Sequence, residues 1–330
     1  MPARLGRWSN NLRFLTQLPH QVIQLATLLR QRDIDLVHVN ASANIVPVLA
    51  AVLARRPLLW HWNDLLVPTW LGMLLKLLAL ASTAHIAATG TQVEQKYQLG
   101  KVGVRYLGLL PPPLPPGDIR EIVKETALEL PRGRPLVGFV GNLLEKKGAL
   151  QFIETVGLLK QQGTPVTGVM IGGTPSGQEA FYRQMLRRIG QLGLEEDIHL
   201  IGYRHDVPAL MLQMDALLFP SHTESAGIVV LEALSAGVPL AATPVGHVRE
   251  LLEGLSMPIV PIGDVPAMAK AVQYLLEMTD TSREIYREAA RRRIVKGYSI
   301  EEIAARHETL YDAIMVPRLF GTPPSFNETI

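Results

Sequence analysis

The chain has 330 residues, 48% of them apolar, and 32 basic against 30 acidic side chains leave a formal net charge of +2. That length allows two domains of ordinary size, each with its own core, and that composition excludes a disordered chain. No dense Lys/Arg block with interleaved aromatics argues for nucleic acid; the lack of cysteine excludes disulfides, thiolate catalysis and cysteine-type zinc sites, and suits a reducing, cytoplasmic compartment.

The opening MPARLGRWSNNLRF is basic but has no apolar core segment, so it does not read as a secretory signal. Apolar or β-branched runs then predict strands at 35–40, 57–63, 84–89 and 102–108, with helical stretches between them. Between the second and third lies LLVPTWLGMLLKLLALA (65–81), the most membrane-like segment. It is barely long enough to span a bilayer, and Pro68 and Lys76 interrupt it. A buried helix and a helix lying on the inner face of a membrane are the two readings that remain. LLPPPLPPGD (109–118) then ends the alternation, because proline fixes φ and removes a backbone donor. We place an N-terminal domain over 1–115 and a linker over 116–134.

Six further runs predict strands at 135–141, 165–173, 198–203, 216–221, 238–244 and 257–263. Unbroken apolar runs of this length suit strands buried on both faces, as in a parallel sheet covered by helices. The expected fold is therefore α/β: two Rossmann-like, doubly wound domains facing a cleft, the second over 135–298. The basic run ARRRIVKGY (290–298) reads as the solvated face of a late helix. SIEEIAARHETLYDAIM opens with Ser299-x-x-Glu302, a capping-box pattern. Residues 299–330 are expected to form a helix packing back toward the first domain, with a frayed tail.

Ligands bind beyond the carboxyl ends of strands in such folds, and the chemistry-bearing residues cluster there. In GFVGNLLEKKGALQF a strand leads to Gly141, a short loop with Lys147, then Gly148 and a helix. A lysine at a glycine-flanked helix entrance suits a phosphate, although an isolated Lys-Gly is an ordinary turn. In PSHTESAGIVVLEALSAGVP a strand leads into a helix; if it begins near Ser225 or Ala226, its free N–H groups make an anion site, and Gly227 would let a ligand approach the backbone closely. Glu224 lies at the mouth of this helix and Glu232 two turns inside. Carboxylates make poor phosphate ligands but good acceptors for hydroxyls, so the pattern suits a molecule carrying both phosphate and polyol groups. The alternative is that Glu224 caps the helix dipole and Glu232 pairs with a distant arginine.

Glu224-x7-Glu232 followed by ALSAGVPLAATPVGHVREL, in register with GNLLEKKG and DALLFPS, resembles glycosyltransferase family 4, over 135–315 and more loosely over 33–110. The resemblance implies a retaining, nucleotide-sugar-dependent hexosyltransferase of the GT-B fold that needs no metal or other cofactor. Its partners would be a nucleotide sugar and a sugar or lipid-linked acceptor. It implies that Glu224 meets the donor sugar's hydroxyls, Glu232 the ribose, the backbone of Ser225, Ala226 and Gly227 the distal phosphate, and Lys147 the departing diphosphate. Three features depart from the family pattern. Asn142 stands where the family has arginine. Asn63 stands where it has a donor-contacting histidine, with His61 two residues earlier as a substitute or a structural residue. The N-terminal sheet looks shortened, without an opening strand and Gly-rich loop. These departures motivate the alternative of a non-catalytic nucleotide-sugar-binding or partner subunit. A UDP-sugar epimerase of the same fold would need acidic residues from both domains, and the first half offers only Asp64.

Overall fold

The computed structural model describes residues 3–63, 67–81, 84–88, 91–97, 105–106, 133–224 and 227–320. The chain forms two compact units, Met1–Gly108 with Ile303–Ile330, and Leu109–Glu302. In order, the first half holds α1 (Ala3–Gln31), β1 (Val37–Asn40), α2 (Ile45–Ala54), β2 (Leu58–Trp62), α3 (Thr69–Ala81), β3 (Ala84–Ala88), α4 (Thr91–Tyr97) and β4 (Arg105–Tyr106). The second unit begins with β5 (Leu136–Val140), a 3-10 turn (Glu145–Lys147), α5 (Ala149–Gln161), β6 (Thr167–Ile171), α6 (Glu179–Leu192) and β7 (Ile198–Gly202). It continues with α7 (Val207–Met211), β8 (Ala216–Phe219), α8 (Ile228–Ala236), β9 (Leu240–Ala242), α9 (Val248–Leu252), α10 (Val265–Leu276) and α11 (Asp280–Gly297). Last comes α12 (Ile300–Phe320). The proline-rich break, most of the proposed linker and the tail after residue 320 lie outside the described residues.

The first sheet is parallel in the order β1-β2-β3-β4. Every residue of β2 is buried. Leu58, Trp60 and Trp62 pack against Val48 of α2, Leu75 and Ala79 of α3, and Val93 and Tyr97 of α4. Leu59, on the opposite face, packs with Ala87 of β3 and with Leu310 and Ile314 of α12. Helices thus cover both faces, which is why LLWHW is unbroken by polar positions apart from His61. Ser299 Oγ accepts a hydrogen bond from Glu302 N at 3.2 Å, so the capping serine acts at the start of α12.

Two expectations change in this unit. No element was assigned before residue 35, yet α1 runs for 29 residues with Pro19 inside it. Its Val22, Ala26 and Leu29 pack on Ala50 and Ala54 of α2, and that tertiary contact outweighs the local cost of the proline. The segment 65–81 is not a buried helix. Leu75 and Ala79 of α3 face the core, while Trp70, Met73, Leu74 and Leu77 are each at least 54% exposed. Among the described residues no helix is long and apolar enough to cross a membrane.

The second sheet is parallel in the order β7-β6-β5-β8-β9. The chain extends it from β5 in one direction through β6 and β7, then returns to add β8 and β9 on the other side. This places a topological switch point between β5 and β8. The run 257–263 does not form a strand. Pro258 and Pro261 remove donors there, and one parallel bridge, Ala242 to Ile259, is what forms. At the amino end of this sheet Asp197, 3% exposed, accepts from Arg134 on Oδ1 and from Lys160 on Oδ2.

Candidate functional site

The site is built from the two loops at the switch point. After β5 the chain passes Gly141 and Asn142, makes the 3-10 turn that ends at Lys147, and enters α5 through Gly148. After β8 it passes Pro220 to Glu224 and enters α8 through Gly227. Because β5 and β8 are hydrogen-bonded neighbours, these loops run side by side. His222 N donates to Lys146 O at 2.9 Å. A Cβ on Gly148 would lie 2.1 Å from the Pro220 carbonyl oxygen, and φ there is +73°, so both space and backbone conformation require glycine. Buried Thr243, just after β9, ties down the second loop: its Oγ1 donates to Ser221 O at 2.6 Å and its N to Phe219 O at 3.0 Å.

This scaffold brings Lys147 and Glu224 together. Lys147 Nζ donates to Glu224 Oε1. Ser221 Oγ donates to the same oxygen at 3.3 Å. Oε2 of Glu224 has no partner among the described residues. The pair is mostly shielded, with the lysine and glutamate side chains 23% and 14% exposed. Glu224 is therefore an ion-pair partner rather than the cap of α8, whose N-cap position belongs to Gly227 at φ +77°. Ser225 and Ala226 lie outside the described residues.

Glu232 lies on α8, partly buried, and burial raises its carboxyl above the ordinary carboxylate range. Among the described residues it has no arginine or lysine partner, so the distant-arginine alternative has no support there. Asn142 is exposed in the loop that carries Lys147. His61 belongs to the first unit. It is 9% exposed, and burial together with nearby His38 and His307 lowers its pKa to about 4, so its ring is neutral at pH 7. Ser221 and Thr243 sit inside the predicted strands ALLFPS and VPLAATP, whose pattern does not single them out. Their one signal is position at a strand's carboxyl end.

A family model for glycosyl transferases group 1 matches residues 122–293, just over half of the chain. The chain belongs to that family. Every described residue of the switch-point site lies inside the matched region of this group 1 chain. Over 207 residues it is 30% identical to the lipopolysaccharide core biosynthesis mannosyltransferase LpsB of Rhizobium meliloti (strain 1021), a match covering 61% of this chain and 57% of that protein. The chain spans about half the length of the curated relatives it matches. A glycosyltransferase from Rickettsia africae ESF-5 superposes with a TM-score of 0.78 at 18% identity, over 92% of this chain and 82% of that one. Anabaena Alr3699/HepE in complex with UDP superposes with a TM-score of 0.76 at 24% identity, over 88% of this chain and 82% of that one. The group 1 chain thus has the GT-B fold, with a Rossmann-like parallel sheet in each unit.

Proposed function

We propose that the chain transfers a hexose from a nucleotide-sugar donor to a hydroxylated acceptor with retention of configuration. The observation that carries this reading is the Lys147–Glu224 contact at the switch point, with one oxygen of Glu224 without a partner among the described residues. In the absence of donor the two side chains neutralise each other. With donor bound, Glu224 accepts hydrogen bonds from the sugar hydroxyls, and Lys147 turns to the diphosphate. Glu232, without a cation partner among the described residues, accepts from the ribose hydroxyls. The backbone N–H groups of Ser225, Ala226 and Gly227 take the distal phosphate at the entrance of α8, and Asn142 offers it a neutral amide donor.

The bond between the anomeric carbon and the diphosphate oxygen breaks as the acceptor hydroxyl oxygen bonds to that carbon on the same face. The hydroxyl proton leaves with the diphosphate. Lys147 stabilises the negative charge that grows on the departing group, the kind of assistance worth about 10²–10³-fold per donor. Lysine and backbone donors carry the phosphate charge in this reading, and no metal or other cofactor is assigned a part. A uridine nucleotide is the first donor to test, since the Anabaena neighbour is described with UDP. A sugar or lipid-linked acceptor fits the lipopolysaccharide assignment of LpsB.

Release of nucleoside diphosphate from a panel of nucleotide sugars, with calorimetry for binding, tests the reading. Lys147→Ala and Glu224→Ala should each lower the rate by about 10²–10³-fold. Unchanged rates in both variants overturn the site assignment, and binding without turnover by the parent overturns the transfer reaction.

The ridge of Trp70, Met73, Leu74 and Leu77 on α3 supports a peripheral contact with the inner face of a membrane, where a lipid-linked acceptor would reside. The helix has no acidic residue, and Lys76 suits anionic headgroups. The parent protein should float with anionic liposomes and a Leu74→Glu/Leu77→Glu variant should not. Equal flotation of the two removes this contact.

A further inference from the structure

Among the described residues outside the switch-point site, a group of titratable side chains meets in the first unit. His38 of β1 is its hub. Its ring centroid is 5.9 Å from those of His61 of β2, His307 of α12 and Tyr311 of α12. His38 Nδ1 lies 2.8 Å from the Tyr311 hydroxyl, and the His307 and Tyr311 centroids are 6.0 Å apart. His38 and His61 share the sheet face that α12 covers, because His38 pairs with Leu59 and alternate residues of a strand point the same way. The cluster is graded in depth. His61 is buried, His307 and Tyr311 are half-buried, and His38 is exposed at the mouth.

Among the described residues, the titratable groups facing one another here are His38 from β1, His61 from β2, and His307 and Tyr311 from α12. His85 of β3 lies farther along the same sheet face, opposite Leu59. Arg306 and Glu308 flank His307 on α12, and Asp312 flanks Tyr311. Burial, then the charge of His307, lowers the pKa of His38, and burial, then His38 and His307, lowers that of His61. An oxyanion among the rings would reverse that relation, since each proton taken up supplies another N–H donor and an attractive charge. His307 donates from Nδ1 to Ile303 O at 2.8 Å, which fixes the orientation of its ring.

We propose that His38, His61, His307 and Tyr311 form a binding site for a phosphate-type oxyanion, free or carried as a phosphoester on the acceptor. Only the second source rests on the transfer reading. Binding takes up protons, so affinity rises as pH falls below the ordinary histidine range.

The test is NMR of histidine-labelled full-length protein, titrated from pH 4 to pH 8 in sodium chloride and in inorganic phosphate at matched ionic strength. Phosphate should raise the titration midpoints of His38 and His61 by about one unit or more. His38→Gln and His307→Gln, each checked for an unchanged circular dichroism spectrum, should lose the phosphate response. Midpoints that agree in chloride and phosphate overturn the site, as does a phosphate response that survives both substitutions. A sugar phosphate set against the same unphosphorylated sugar separates the sources, and a response to inorganic phosphate alone removes the acceptor as the source. Nucleotide-sugar calorimetry on His38→Gln should match the parent, so a failed donor site and a failed oxyanion site give different results.

Discussion

The two ends of the second unit's sheet each hold a carboxylate beside a lysine, built to different degrees of completion. At the amino end both oxygens of Asp197 are engaged, one by Arg134 and one by Lys160. At the carboxyl end Lys147 and Ser221 share one oxygen of Glu224, while the other oxygen and the carboxylate of Glu232 have no partner among the described residues. A carboxylate removed from water is costly unless its hydrogen bonds are made. The amino end makes them within the fold, whereas the carboxyl end, among the described residues, leaves acceptors that the proposed reading assigns to a ligand's hydroxyls. In the proposed reading, the contrast separates an ion pair that holds a fold from one that holds a place for a ligand.

That contrast is open to direct attack. The largest expected effect is on turnover: Lys147→Ala and Glu224→Ala lose the proposed two to three orders of magnitude, yet cost less unfolding free energy than Asp197→Ala, because only one oxygen of Glu224 is engaged among the described residues. Asp197→Ala should do the reverse. Denaturant unfolding should show a loss of about 3 kcal/mol, the low end for a broken buried pair because Arg134 and Lys160 keep nearly half their surface in water. Nucleotide-sugar binding by the folded variant should be unchanged. A large stability loss in Glu224→Ala, or a dead but stable Asp197→Ala, would erase the distinction between the two ends.

The first unit supplies the next effect. Above pH 6.5 His61 is neutral both folded and unfolded, and contributes no pH dependence. As pH falls, the unfolded chain takes its proton first, because the folded pKa is lowered to about 4. Stability should therefore fall between about pH 6.5 and 4, by up to about 3 kcal/mol from this residue. Unfolding curves in chloride should be flatter over that window for His61→Gln, and identical slopes contradict the assignment. The smallest effect belongs to Thr243→Val. It removes one hydrogen bond to the Ser221 carbonyl and should cost about 1–3 kcal/mol of stability. If Thr243 positions the loop that carries Glu224, the value of kcat falls more than KM rises; a change in KM alone contradicts that role.

Much of this was legible in the sequence, and the exceptions have physical causes. The unbroken runs of β2 and β5 to β9 announced parallel strands because both faces are covered. Gly148 and Gly227 marked the loop ends because positive φ is needed there. Ser221 and Thr243 were hidden by their neighbours, since a polar residue one step past an apolar strand carries no periodicity of its own. His38, His61 and His307 are brought together by α12 folding onto β1 and β2, across a separation of 273 residues between His38 and Tyr311 that no spacing rule spans. α1 escaped because Pro19 argues locally against a helix, while Val22, Ala26 and Leu29 stabilise it only through α2. Trp70 and Leu74 looked interchangeable with Leu75 in an apolar string. The turn of α3 puts Leu75 inside and the other two outside.

The most direct test of the central claim is the rate of nucleoside diphosphate release by the parent, Lys147→Ala and Glu224→Ala proteins, each first checked for an unchanged circular dichroism spectrum. The account predicts turnover by the parent with at least one nucleotide sugar and a loss of about 10²–10³-fold in both variants. Equal rates in all three proteins, or no release by the parent with any donor that binds it, would contradict it.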